Sequence, residues 1–261
     1  MNTVIVPVDF SDTSLHAANY AAKLLVGHYG VTILLYHSYS KNSEAAEAEN
    51  DLKELRDKLL GKYAVKIEIL AHHEDDFVDG LERATRHRRA DLVIMGITGR
   101  SAIAQVFFGS NTLKMVERKV CPVLIVPEQA TVSDIKNVML TSDFKNIHNT
   151  TPSVPIKDFL DVFKPNLHVV NVDKQHYISL TDNYENEKQQ LKQMFADYNP
   201  EFYFMRLFDI EEALNLFATD RHIDLIILIQ KNHSYIEKLL KGSRTKTLTY
   251  HSKVPILVMH E

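Results

Sequence analysis

The chain contains a single cysteine, Cys121, so it cannot form a disulfide within itself. This cysteine stands beside Pro122 at the start of an apolar run, which is typical of a small core residue in a reducing compartment. No apolar run approaches the ~18 residues of a membrane span, and the first residues enter a predicted strand without a basic leader segment. We therefore expect a cytoplasmic protein without a membrane partner.

An excess of basic charge is also missing. The 261 residues carry 30 basic and 34 acidic side chains, for a net charge of −4, so no electrostatic footprint for nucleic acid is visible. One arginine cluster, residues 83–89, falls in the last turn of a predicted helix, where cations meet the negative end of the helix dipole. We expect no nucleic acid among the partners.

Signatures of several catalytic classes are absent. There is no H-x-x-H pair, no Ser-His-Asp arrangement that can be placed, and none of the SGGxDS, HIGH or KMSKS sequences found on related sheets. Residues 72–76 (HHEDD) have metal-binding side chains, but neighbours on a strand or loop point apart, which favours a solvated turn. The sequence predicts no catalytic residue and no metal ligand.

What the sequence does contain is a regular alternation of apolar runs and amphipathic segments. Predicted strands at residues 3–8, 31–37, 65–70, 91–96 and 123–126 are separated by predicted helices. This alternation implies parallel strands with right-handed crossovers and helices on both faces. The predicted class is α/β, with an open, parallel five-stranded sheet.

The same pattern occurs twice. Residues 138–144 (VMLTSDF) follow residues 4–10 (VIVPVDF) by 134 positions, and residues 224–227 (DLII) repeat residues 91–94 (DLVI). A repeat of this length indicates that a whole domain was duplicated. We predict two tandem copies of one fold.

The predicted domains are residues 1–128 and residues 135–261, joined by a linker at residues 129–134. Their last strands, residues 123–126 and 256–259, are apolar edge strands, which invite pairing with another strand. We expect the two domains to form an intramolecular pseudo-dimer, and a homodimer is also compatible with this pattern.

Three glycines mark a candidate anion site in the first domain. Gly96 ends the fourth predicted strand, Gly99 follows it, and Gly109-Ser110 precedes a predicted helix, so that the spacing is G-x2-G-x9-G-S. Backbone amides at a helix N-terminus bind negatively charged oxygen, and the helix dipole adds to their effect. Phosphate is the ligand that this spacing favours, and three turn glycines without a ligand are the alternative.

The spacing differs from the P-loop, which needs a lysine after its last glycine, and from the dinucleotide fingerprint, which follows the first strand. It resembles the nucleotide motif of the ATP-binding universal stress proteins. GRS at the second glycine and CPVLIVP after the helix also fit that family. The resemblance implies an adenine nucleotide alpha hydrolase-like fold, ATP or AMP as ligand with or without Mg²⁺, and association of domains through their last strands.

By this resemblance, the family's nucleotide contacts fall on strand ends and on the start of the fourth helix: Pro7, Val8, Asp9, Ser38, Met95, Gly96, Thr98, Gly99, Gly109, Ser110, Asn111 and Thr112. Ser38 departs from the family, which usually has an aliphatic residue there. Asp9 can accept hydrogen bonds from ribose or approach a phosphate-bound cation, and capping the first helix is its alternative role. Backbone groups of Val8 and of residues 37–38 can read the adenine edge, whereas the His37 ring reads as a core or edge residue.

The second copy lacks part of this motif. Ile229 and Asn232 replace Gly96 and Gly99, and a β-branched side chain at a strand end projects into the space that a phosphate needs. We expect one nucleotide site, in the first domain, although the retained Asp143 leaves a weaker anion site open in the second.

Three functions are compatible with these observations. The first is a nucleotide-responsive stress regulator that binds ATP or AMP, and the second is a slow ATP hydrolase or phosphotransferase that uses the same loop. The third is a ligand-free assembly scaffold. Because no positioned base or leaving-group cation can be identified, the sequence favours binding over turnover.

Overall fold

The computed structural model describes residues 1–97, 110–132, 134–172, 182–205, 210–230 and 253–261. The chain divides into two compact units, Met1–Val132 and Ser133–Glu261. Within the described ranges no helix has the length and apolar character needed to cross a membrane.

The first unit alternates strands and helices throughout. Its elements are β1 (Thr3–Pro7), α1 (Asp12–Leu24), β2 (Thr32–Tyr39), α2 (Ala45–Leu60), β3 (Lys66–His73), α3 (Phe77–Arg88), β4 (Leu92–Ile97), α4 (Ser110–Arg118) and β5 (Val123–Pro127). All strand pairs are parallel, in the order β3-β2-β1-β4-β5. The predicted α/β class and the parallel sheet are confirmed.

The second unit has the same order of strands, β8-β7-β6-β9-β10, again all parallel. Its elements are β6 (Asn137–Thr141), α5 (Ile147–Thr150), α6 (Ser153–Phe163), β7 (Asn166–Val172), α7 (Asp182–Met194), β8 (Glu201–Met205), α8 (Ile210–Asp220), β9 (Leu225–Gln230) and β10 (Ile256–His260). Two five-stranded sheets of one topology are what the repeated sequence predicts.

The centre of each sheet is fully enclosed. In the first unit, residues 4–6 of β1 and residues 93–94 of β4 have no exposed surface. Parallel strands covered by helices on both faces read as continuous apolar runs, which is why these segments lack the alternation of a half-exposed strand. The polar edge at the carboxyl ends of the strands is therefore the part of the unit that is free for chemistry.

One carboxylate at the start of the fourth strand of each unit fixes the opposite end of the sheet. Asp91 Oδ2 accepts hydrogen bonds from the backbone N–H groups of residues 2 and 3, at 2.6 and 2.9 Å. In the second unit, Asp224 Oδ2 accepts them from residues 136 and 137, both at 2.9 Å. The duplication is thus visible in individual hydrogen bonds.

The arginine cluster lies in the second half of α3 and just beyond it, and three of its members are paired with carboxylates. The pairs are Arg83 with Glu74 at 3.2 Å, Arg86 with Glu82 at 3.0 Å, and Arg88 with Glu68 at 3.7 Å. Charges neutralised in this way within one unit support the interpretation of a solvated helix end.

The Cys121 thiol is buried, and this burial raises its pKa to about 12. Because the thiolate is the reactive form, native protein at pH 8 should have on the order of a thousandfold fewer reactive thiols than unfolded chain. We expect a disulfide reagent such as DTNB to label Cys121 only after denaturant is added. Rapid labelling of the native protein would show that the thiol is accessible and ionised, contrary to this structure.

Candidate functional site

The candidate site lies where the strand order of the first unit reverses. β1 pairs with β2 on one side and with β4 on the other, and ligands of open α/β sheets bind outside the carboxyl ends of the strands at such a point. Pro7 ends β1, while Met95 and Gly96 lie near the end of β4. The structure therefore brings these three predicted site residues to one edge of the sheet.

Gly96 has a different structural role from the one that the sequence suggested. β4 continues through it to Ile97, so the expectation that Gly96 ends the strand is wrong. A Cβ atom at this position would lie 2.6 Å from both Cγ2 and the backbone oxygen of Thr13, in the first turn of α1. The missing side chain therefore lets the N-terminus of α1 pack directly on β4.

Helix α4 begins at Ser110 and is tied to the same strand. The hydroxyl of Thr112, which is buried, donates a hydrogen bond to the Gly96 carbonyl at 3.1 Å. This hydroxyl proton is therefore not available to a phosphate, and Thr112 can donate to one only through its backbone N–H. Asn111 is exposed in the first turn of the helix, where its amide is open to solvent.

The remaining predicted phosphate contacts, Thr98, Gly99 and Gly109, lie outside the described residues, as does the side chain of Ser110. Their assignment stays a prediction from the sequence.

Asp9 organises the turn between β1 and α1. Its Oδ1 accepts hydrogen bonds from the backbone N–H and the hydroxyl of Ser11, at 3.0 and 2.6 Å. Ser11, not Asp9, is the N-cap of α1, since its side chain accepts from the Ser14 N–H. Partial burial raises the pKa of Asp9, but hydrogen bonds from Ser11 and Ser14 outweigh that effect and lower the pKa below its ordinary value. The carboxylate is consequently ionised at neutral pH and can only accept hydrogen bonds.

The backbone of Val8, predicted to read an adenine edge, is already engaged. Its N–H donates to the Tyr36 carbonyl at 2.7 Å, and its carbonyl lies 2.7 Å from Nδ1 of His37. The carbonyl retains one lone pair for a further donor. Ser38, the predicted contact on β2, pairs in register with His72 of β3 and borders the cleft described next.

A cleft of about 460 Å³ opens above the carboxyl end of β2. Its size is within the roughly 300–1,000 Å³ of small-molecule sites. Aromatic rings of Phe10, Tyr39 and Phe77 line part of it, and the His37 ring lies 5.0 Å from that of Phe10. Five acidic residues also line it: Glu44, Glu47, Asp51, Glu74 and Asp75.

These acidic residues were not identified from the sequence as part of a site. Glu44 is the N-cap of α2, and Glu47 and Asp51 lie within the helix. Their spacing of three and four residues places all three on one face of α2. That spacing is the signal that could have revealed them, although it is equally typical of a solvated face.

In the 72–76 stretch, the two histidines lie at the end of β3 and their side chains contact different groups. His72 Nδ1 lies 3.3 Å from Glu74, whereas His73 Nε2 lies 2.9 Å from the Ser40 carbonyl. Among the residues that the structure describes, no group of three or more His, Cys, Asp or Glu could hold a metal ion.

The corresponding turn of the second unit is packed differently. Phe144, the counterpart of Phe10, is buried and contacts the rings of Tyr184, Phe202 and Phe204 at 5.1–6.1 Å between centroids. Both phenylalanines have a positive φ, 61° for Phe10 and 49° for Phe144. The backbone of the turn is thus repeated, but Phe144 lies within an aromatic cluster whereas Phe10 borders a cleft.

Comparison with known proteins matches the first unit to one family. The Universal stress protein family model covers residues 1–127. A universal stress protein of Thermus aquaticus is 28% identical over 134 residues, which are 48% of this chain and 97% of the relative. One from Methanocaldococcus jannaschii is 27% identical over 145 residues, which are 47% of this chain and 80% of the relative.

The fold of the whole chain is also found in a solved structure. A universal stress protein from Archaeoglobus fulgidus matches 99% of this chain and 98% of its own, with a TM-score of 0.71 and 15% identity. At that identity the likeness concerns the fold alone. Residues 1–127, nearly all of the first unit, thus match the universal stress protein family.

Proposed function

We propose that the first unit binds ATP or AMP and that the protein acts as a nucleotide-responsive stress regulator. The observation that carries this proposal is the position of α4. Its N-terminus is held at the carboxyl end of β4 by the bond from Thr112 to Gly96, beside the point where the strand order reverses. A helix N-terminus at this edge offers unpaired N–H groups to phosphate oxygens.

The charges of the first unit suggest how the nucleotide lies. The carboxylates around the cleft above β2 repel phosphate, whereas the N-terminus of α4 attracts it. The phosphates therefore extend over β4 toward α4, and the ribose and base extend over β1 and β2. In this orientation Asp9, which is ionised and lies between the two ends, accepts hydrogen bonds from the ribose hydroxyls.

A slow ATP hydrolase is the second candidate. It would use the same phosphate contacts, with Mg²⁺ carried in by the triphosphate. A turnover assay on protein shown to bind ATP separates this function from binding alone. Pairing of the two units, a homodimer and a cytoplasmic location stay predictions from the sequence.

Asp9→Asn is expected to weaken ATP binding about tenfold, since it replaces one acceptor oxygen with a donor and removes the charge. The Oδ1 bonds to Ser11 can be kept by the amide oxygen, so the melting temperature should change little. Isothermal titration calorimetry measures the affinity, and mass spectrometry of protein purified without added nucleotide identifies a ligand retained from cells.

Asp143→Asn, at the corresponding position of the second unit, is the matched control and should leave the affinity unchanged. If the unmodified protein neither retains nor binds an adenine nucleotide, the proposed function is wrong and the scaffold alternative is favoured. Equal weakening by both substitutions would place the site elsewhere.

A further inference from the structure

The hydrogen bond from His37 to Val8 fixes the tautomer of the imidazole ring. The Val8 carbonyl can only accept, so Nδ1, 2.7 Å away, carries the proton. In the neutral ring Nε2 is then an acceptor with a free lone pair. Among the described residues no hydrogen bond to this Nε2 is found.

The second unit shows that the bond to Val8 does not require histidine. At the corresponding position Asn171 donates from Nδ2 to the Ser142 carbonyl at 2.8 Å. The Ser142 N–H donates to the Val170 carbonyl at 3.0 Å, just as Val8 donates to Tyr36. An amide thus makes the same link between neighbouring strands. The feature that His37 adds is a ring that extends farther and carries a second nitrogen.

That second nitrogen belongs to a side chain that borders the cleft above β2. The ring is partly exposed and is held against Phe10, with 5.0 Å between centroids and an angle of 50° between the ring planes. The neighbouring charged groups of the cleft, including Glu44, Glu47 and Asp51, are carboxylates. Nε2 of the neutral ring and these carboxylate oxygens are acceptors, so this space favours a ligand that presents hydrogen-bond donors.

We propose that His37 Nε2 accepts a hydrogen bond from the exocyclic amino group of a bound purine and thereby selects 6-amino over 6-oxo purines. This inference rests on the proposed nucleotide site and on its orientation, with the base over β2. A 6-oxo purine would place its own acceptor oxygen against the lone pair of Nε2. A site built to bind a donor rejects an analogue that lacks it, because the partner atom is left unpaired.

The direct test compares ATP, which has an amino group at position 6, with ITP, which has an oxo group there and a proton on N1. The unmodified protein should bind ATP at least about tenfold more tightly than ITP in calorimetric titrations. Two variants then isolate Nε2. His37→Asn keeps a donor for the Val8 carbonyl, as Asn171 provides one for Ser142, but it removes the Nε2 atom. His37→Phe keeps a ring beside Phe10 and removes both nitrogens.

Both variants should bind ATP and ITP with nearly equal affinity, mainly through weaker ATP binding. Circular dichroism and the melting temperature of His37→Asn should match those of the unmodified protein, since the bond to Val8 is retained. If His37→Asn keeps the preference for ATP, or if the unmodified protein binds ATP and ITP equally, the assignment of Nε2 is wrong while nucleotide binding stands. If neither nucleotide binds to the unmodified protein, the proposed function itself fails.

Discussion

A Gly96→Val variant is expected to lose measurable ATP binding and to destabilise the first unit by about 3 kcal/mol. The first added carbon would already lie 2.6 Å from the Thr13 backbone oxygen, and backbone cannot move aside as the tip of a flexible side chain can. The N-terminus of α1 must then shift away from β4. Because α1 begins directly after Asp9 and Ser11, the shift displaces the proposed ribose contact as well.

The same substitution should also disturb the contacts proposed for the phosphates. The carbonyl of residue 96 accepts the hydroxyl of Thr112, which holds the start of α4. If α1 moves away from β4 while α4 stays bonded to residue 96, the distance between the N-termini of the two helices changes. Binding should therefore fall further than the loss of stability alone requires, and calorimetric titration at a temperature where the variant is fully folded shows this directly.

Ile229→Val is the matched control, because residue 229 is the counterpart of Gly96 in the second unit and already carries a β-branched side chain. Because Ile229 is only half-buried, its expected cost is below about 1 kcal/mol, with no effect on ATP affinity. Because the chain has two compact units, scanning calorimetry should be read for each transition rather than as one two-state process. A Gly96→Val variant that binds ATP normally would show that the contact between α1 and β4 does not position the site.

Gly96 lies in a strand that sequence periodicity predicts, at a helix contact that periodicity cannot predict. Periodicity identifies β4 because every side chain of a buried parallel strand is apolar. It cannot show that α1, some eighty residues earlier in the chain, crosses that strand at Gly96. The glycine was therefore assigned to a turn, which is the commonest local reason for a glycine, although a contact between distant elements requires it.

His37 and the acidic cleft illustrate the same limit. The strand containing His37 was predicted, but its partner Val8 is 29 residues away and is identified only by the register of β1 with β2. Likewise, the carboxylates of α2 line a cleft because the loop after β3 lies beside them, and that contact joins segments far apart in the sequence. What the sequence supplied correctly was the alternation of elements and hence the edge of the sheet at which these residues meet.

Removing the hydrogen bonds of Asp91 or Asp224 should also lower stability strongly. Each carboxylate oxygen accepts two backbone N–H groups at the start of the first strand of its unit. Hydrogen bonds to charged groups stabilise by about 1.5–3 kcal/mol when shielded, and partial exposure lowers this value. Asp91→Ala should therefore destabilise the first unit by about 2 kcal/mol, and Asp224→Ala should do the same to the second unit.

The two substitutions are controls for each other, because each removes one carboxylate from an equivalent position and leaves the other unit intact. Hydrogen exchange followed by mass spectrometry reports the units separately: Asp91→Ala should speed exchange in β1 and β4, and Asp224→Ala in β6 and β9. Neither carboxylate lies at the carboxyl edge of its sheet, so ATP affinity at full folding should be unchanged. If Asp91→Ala speeds exchange equally in both units, their stabilities are coupled, and the repeated bond cannot be assigned to one unit alone.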